Sequence, residues 1–146
     1  MRVDFYQLGG GVGAEGIIAA IATKLLDDKQ RLLVVAEDEG QRARLDRMLW
    51  DQGATSFLPH GLSGDGKEPA QPILLSGSSD APNGARNMLI ADGKWREAAL
   101  HFDRAFFLFD SATVDAAREA WKELASKGEV ERHYWASEEG RWVEKA

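Results

Sequence analysis

Six residues near the amino end have the spacing of a phosphate cradle. Gly11, Val12, Gly13, Ala14, Glu15 and Gly16 read G-x-G-x-x-G, between the apolar runs VDFY and IIAAIATKLL. An acidic pair, Glu37 and Asp38, follows about 20 residues later, after LLVVA. Strand, glycine turn, helix, strand and acid form the written fingerprint of a dinucleotide site, with the pyrophosphate on the helix N-terminus and the acid on a ribose. Two features oppose that chemistry. Glu15 falls in the first helical turn, beside the proposed phosphate. Glu37 and Asp38 serve equally well as the acids that open the next helix, where its dipole favours them. The competing reading is a tight turn that needs only the backbone freedom of glycine.

Other catalytic chemistry has little to build on. His60, His101 and His133 are scattered without metal-ligand spacing. The serines at 63, 76, 78 and 79 lie in turn-forming stretches, and none stands in a G-x-S-x-G elbow. There is no Lys-Ser/Thr pair for a Walker A loop and no paired spacing among Asp38, Asp46 and Asp65 for acid–base work. The chain has no cysteine, which removes disulfides, thiolate nucleophiles and Cys-based zinc sites. The sequence predicts no catalytic residue, no metal and no cofactor, with Gly11, Gly13 and Gly16 as the alternative cofactor site.

The elements that would position these residues alternate. Residues 3–8 read as a strand and 14–28 as a helix with Ile17, Ile18, Ile21, Ala22 and Leu25 on one stripe. Residues 31–36 form a continuous apolar run, the mark of a buried parallel strand. EDEGQRARLDRMLWDQG reads as a second helix, closed by Gly53. A loop-rich connection follows, with one short extended piece near its start. ILLSG, NMLIAD and AFFLFD are strand candidates, 111–127 is a helix ended by Gly128, and EVERHYWAS is a strand near an edge. This order predicts one domain over 1–146: a three-layer α/β/α fold with a mostly parallel sheet, Rossmann-like in shape.

Two helices carry side chains that their core stripes do not use. Leu45, Met48 and Leu49 face the core, whereas Trp50 points about 140° around the helix from Leu45. Phe57 follows closely enough to join Trp50 in one apolar patch, which either seals a loop or meets a partner. The last helix has Val114, Ala117, Trp121 and Leu124 on one stripe, with Arg118 and Lys122 beside it. Asp115 and Glu119 stand three residues before each cation, so a solvated, salt-bridged face is one reading. A basic edge next to an aromatic, suited to an acidic peptide with an apolar anchor, is the other.

Bulk properties narrow the partners. Of 146 residues, 18 are Lys or Arg and 24 Asp or Glu, for a net charge of −6. That balance argues against broad contact with nucleic-acid phosphates. No apolar run is long enough to span a membrane, and Asp4 and Gln7 interrupt any signal-peptide core, so a cytoplasmic protein is expected. Five tryptophans favour a protein interface.

Three blocks then resemble a known family. FYQL, AEDEGQRARLDRMLW and SFLPHGLSGDG are similar to the chi subunits of bacterial DNA polymerase III. That family reads F-Y-x-L, then E-D-E-x-Q-x-x-x-L-D-x-x-L-W, then S-F-x-P-H and a G-E-G-like turn. AREAWKELASKG resembles its final helix and GRW its Trp-bearing tail. The glycine run is not part of that pattern. The resemblance implies a non-catalytic accessory subunit with a parallel α/β fold and no nucleotide chemistry. It implies contact with the clamp-loader assembly through a psi subunit, at Trp50 and Phe57. It also implies binding of the acidic, Phe-terminated C-terminal tail of single-stranded DNA-binding protein, at Arg118, Trp121 and Lys122, with Trp121 standing where a family member has tyrosine. DNA contact would then be mainly indirect.

Overall fold

The computed structural model describes residues 1–9, 13–51, 58–64 and 66–146. The expectations at Gly11, Gly53 and Phe57 lie outside those residues. Among the described residues, eight strands form one sheet: β1 (Arg2–Gln7), β2 (Leu32–Val35), β3 (His60–Leu62), β4 (Ile73–Ser76), β5 (Asn87–Ile90), β6 (Arg104–Phe109), β7 (Glu131–Glu138) and β8 (Arg141–Glu144). The helices are α1 (Ala14–Asp27), α2 (Glu39–Trp50) and α3 (Val114–Ala125), with 3-10 turns at Glu68–Ala70 and Glu97–His101. None of the helices is long and apolar enough to cross a membrane.

The sheet order is β3-β4-β2-β5-β6-β1-β7-β8. All neighbours are parallel except β7 and β8. Strands such as LLVV in β2 and NMLI in β5 are buried along their whole length, as a sheet covered on both faces requires. One face packs under α1 and α2 through Ile18, Leu25, Leu45 and Leu49. The other packs under α3 and the turn at Glu97–His101 through Ala117, Ala120, Leu124 and Ala99. This is the three-layer α/β arrangement that the alternation predicts.

Boundaries differ where side chains compete with the helix. The last helix, expected from 111, starts at Val114, because the Asp110 carboxylate accepts the backbone N–H groups of Ala112 at 2.9 Å and Thr113 at 3.2 Å and holds a turn there. At α2, Asp38 accepts the Gln41 backbone N–H at 2.7 Å, the geometry of an N-cap. The carboxyl-terminal GRWVEK is not a plain tail: most of it forms β8, which pairs antiparallel with β7. One polar side chain sits deep in the sheet. Asp4, in the middle of β1, has no solvent exposure and receives hydrogen bonds from Arg2, Arg104 and Trp135.

Candidate functional site

Alternation along β1 sends Val3, Phe5 and Gln7 toward α3. Register then decides what stands beside them. Phe5 pairs with Phe107 and Tyr134, and Gln7 with Phe109 and Ala136. Toward the C-terminal ends of these strands α3 leaves a cavity of about 330 Å3. Its walls are Phe5, Phe109, Trp121 and Tyr134, with Gln7, Arg118 and Lys122 also lining it. The rings meet edge to face: Phe5 and Trp121 at 5.2 Å and 80°, Trp121 and Tyr134 at 6.1 Å and 88°. Such contacts fix ring planes as well as burying area. Arg132 of β7 braces Trp121 from the side. Its guanidinium lies 4.2 Å from the indole centroid, and its Nη1 donates to the Trp121 carbonyl at 2.7 Å.

The charged side chains that line the cavity are both cations, Arg118 and Lys122. Arg118 is 71% exposed, and its one ion pair among the described residues, with the still more exposed Asp115, is long at 3.7 Å. An exposed pair of that kind contributes little and exchanges readily for another carboxylate. The expected Glu119–Lys122 pair does not form: among the described residues Lys122 has no ion-pair partner, and its ammonium remains available at the rim. Tyr134 donates its hydroxyl proton to Gln7 Oε1. Burial raises the Tyr134 pKa, and the nearby Arg118 charge opposes that rise. The three residues expected to act together on α3 therefore line one cavity. Phe5, Gln7, Phe109 and Tyr134 were missed. Their period-two pattern puts each on a predictable face, but the partners across the sheet are far away in the chain.

Trp50 stands elsewhere, at the end of α2, and is 58% exposed. Its ring packs on His60 of β3 at 4.9 Å and 61°. His60 is itself buried, with Nδ1 2.7 Å from the Leu58 carbonyl and Nε2 3.0 Å from Asp46 Oδ1. Asp46 and Trp50 are one helical turn apart, so both reach the same imidazole. The spacing of LDRMLW and PH is thus explained by one cluster that presents the indole outward.

Of the glycine motif, Gly13 and Gly16 are among the described residues. Gly13 immediately precedes α1 and Gly16 lies in its first turn, and a Cβ at either would meet nothing within 4 Å. No close approach there demands glycine. Of the acids, Asp38 is spent on capping α2, and Glu37 pairs with Lys94 at 2.8 Å. Two strands, β6 and β5, separate β1 from β2, which puts the two strands roughly 14 Å apart at ordinary strand spacing. In a dinucleotide domain those two strands are neighbours. Among the described residues, Gly13 and Gly16 are therefore accounted for by the start of α1, and Gly11 lies outside them. Among the described residues no group of three or more His, Cys, Asp or Glu is placed to hold a metal.

The fold and this cavity define a class: a small three-layer α/β protein with a concave site walled by aromatics and rimmed by cations. Residues 1–131 match the family model described as "DNA polymerase III chi subunit, HolC", and the chain belongs to that family, whose members are accessory, non-catalytic subunits. It is similar to DNA polymerase III subunit chi of Escherichia coli K12, 30% identical over 130 residues, covering 83% of this chain and 88% of the relative. It is also similar to the subunit chi of Haemophilus influenzae, 27% identical over 120 residues, with 78% and 81% covered. That of Pseudomonas aeruginosa is 30% identical over 91 residues, with 61% and 62% covered.

Proposed function

We propose that the protein ties its polymerase assembly to single-stranded DNA-binding protein by holding that protein's acidic, Phe-terminated tail in the α3 cavity. The observation that carries this is the pairing of an aromatic-walled pocket with under-neutralised cations at its mouth. A terminal Phe ring needs apolar walls, which Phe5, Phe109, Trp121 and Tyr134 supply. Its carboxylate needs a cation, and the planar fork of Arg118 suits it better than an ammonium does. Lys122, one turn along, attracts the acids upstream. A single tail held this way is bound weakly, and several tails on one oligomer raise the avidity. The net charge of −6 is no obstacle, because the partner is a protein on DNA and contact with DNA itself is mainly indirect. On this reading the protein works in the cytoplasm, as one domain and without a cofactor.

The second proposed surface is the exposed indole of Trp50, with Phe57, as the contact for a psi-type subunit of the clamp-loader assembly. Trp is the residue most enriched among energetically dominant interface positions.

The test is binding of an acidic tail peptide ending in Phe, followed by calorimetry. Arg118→Ala is expected to weaken it at least tenfold while the circular dichroism spectrum stays unchanged. Unaltered affinity would remove Arg118 from the site.

A further inference from the structure

Gln7 is the one carboxamide side chain among the residues that line the α3 cavity, and the fold fixes how it is used. It is exposed at the C-terminal end of β1, beyond the last buried residue of that strand. Tyr134, its diagonal neighbour across the β1–β7 ladder, occupies Gln7 Oε1 with its hydroxyl. A carboxamide has one acceptor end and one donor end. With the acceptor end taken, the end left over is the NH2, and among the described residues Nε2 makes no hydrogen bond. Arg118 lines the same cavity, close enough for its charge to be felt at the Tyr134 hydroxyl. An oxygen-bearing anion placed there meets a guanidinium from α3 and an amide donor from β1.

We infer that Gln7 is a carboxylate-binding residue of this cavity, sharing with Arg118 the terminal carboxylate of the bound peptide, and that Tyr134 is the positioning residue that turns its donor end to the ligand. This rests on the peptide-tail reading proposed above and adds to it the means by which a free C-terminal carboxylate is distinguished from an amidated or extended terminus. The guanidinium attracts any carboxylate that reaches it. A second donor on a different element constrains both oxygens of the group at once. The arrangement also penalises an amidated or extended terminus, which offers one acceptor where two donors converge.

The experiment uses two acidic peptides of the same sequence ending in Phe, one with a free carboxylate and one amidated. Each is titrated against the wild-type protein, Gln7→Leu, Gln7→Glu and Tyr134→Phe. For the free-acid peptide, Gln7→Leu is expected to lose about tenfold in affinity, and Gln7→Glu more, because its charge repels the carboxylate. For the amidated peptide the loss in Gln7→Leu is expected to be less than about twofold, since the group that Gln7 reads is already gone. Tyr134→Phe frees the carboxamide to turn over, giving about a threefold loss confined to the free acid. Equal losses for both peptides, or none for either, would overturn the assignment while leaving the tail reading intact. Failure of the wild-type protein to bind either peptide would overturn both together.

Discussion

Asp4 is held in place by three side-chain donors. Arg2 Nη2 lies 2.9 Å from it, Arg104 Nε 2.8 Å and Trp135 Nε1 2.9 Å. Burial pushes its pKa up, but the hydrogen bonds from Arg2 and Trp135 and the Arg104 charge outweigh that and hold it below the usual carboxylate value. A depressed pKa makes the charged form the stabilising one. The contribution is complete above the unfolded value near pH 4 and is lost as pH falls through the folded value. Asp4→Asn keeps the shape and removes the charge. At pH 7 it is expected to cost about 3 kcal/mol, because two arginines, each about a third exposed, lose a buried partner. Urea denaturation at several pH values checks this: the gap between wild type and variant should narrow below about pH 4. A gap that stays constant to acid pH would show that the charge is not what stabilises the strand.

At the scale of the element, α2 shows why a sequence motif can be long and specific. Asp38 caps the helix, and Arg42 Nη1 donates to the carbonyls of Ala36 at 2.6 Å and Glu37 at 2.7 Å. Gln41 Nε2 reaches the Ala91 carbonyl at 3.0 Å. Leu45 and Leu49 fill the core, and Asp46 meets His60. Most of the EDEGQRARLDRMLW stretch therefore holds the helix to the ends of β2 and β5, and Trp50 is what the arrangement presents. Asp38→Ala is expected to lower stability by about 1 kcal/mol in denaturant unfolding, with tail-peptide affinity unchanged; a loss of affinity would couple α2 to the α3 cavity.

This local character is also why α2 and α3 were legible in the sequence, down to Arg118, Trp121 and Lys122 on one edge. The strand β8 was not. Its turn uses Glu139 at φ 52° and Gly140 at φ 79°, and a left-handed glutamate is an unusual turn residue that disguises the hairpin. Gln7 and Tyr134 were hidden for a different reason. Each has an unremarkable local context, and only the register of β1 on β7 brings them together.

For the whole molecule, the sheet separates the two proposed surfaces. The helix that carries Trp50 packs on one face, and the helix that carries Arg118 on the other. Trp50→Ala is therefore expected to weaken binding of a psi-type partner by tenfold or more, about 1.4 kcal/mol, and to leave the tail peptide untouched. Paired titrations of the two ligands against this variant check it. Loss of both without unfolding would contradict two independent faces.

The position of β1 has a kinetic side. Its neighbours β6 and β7 are synthesised roughly a hundred residues after it, so this interior strand must wait through most of translation for anything to pair with. Meanwhile β2, β4 and β5 can assemble with α1 and α2. The α3 cavity borrows walls from β1, β6 and β7, so it closes only when the two separated portions of the chain zip together. A nascent or prematurely terminated polypeptide that lacks β6 and β7 lacks those walls, and with them the cavity in which the tail is proposed to bind.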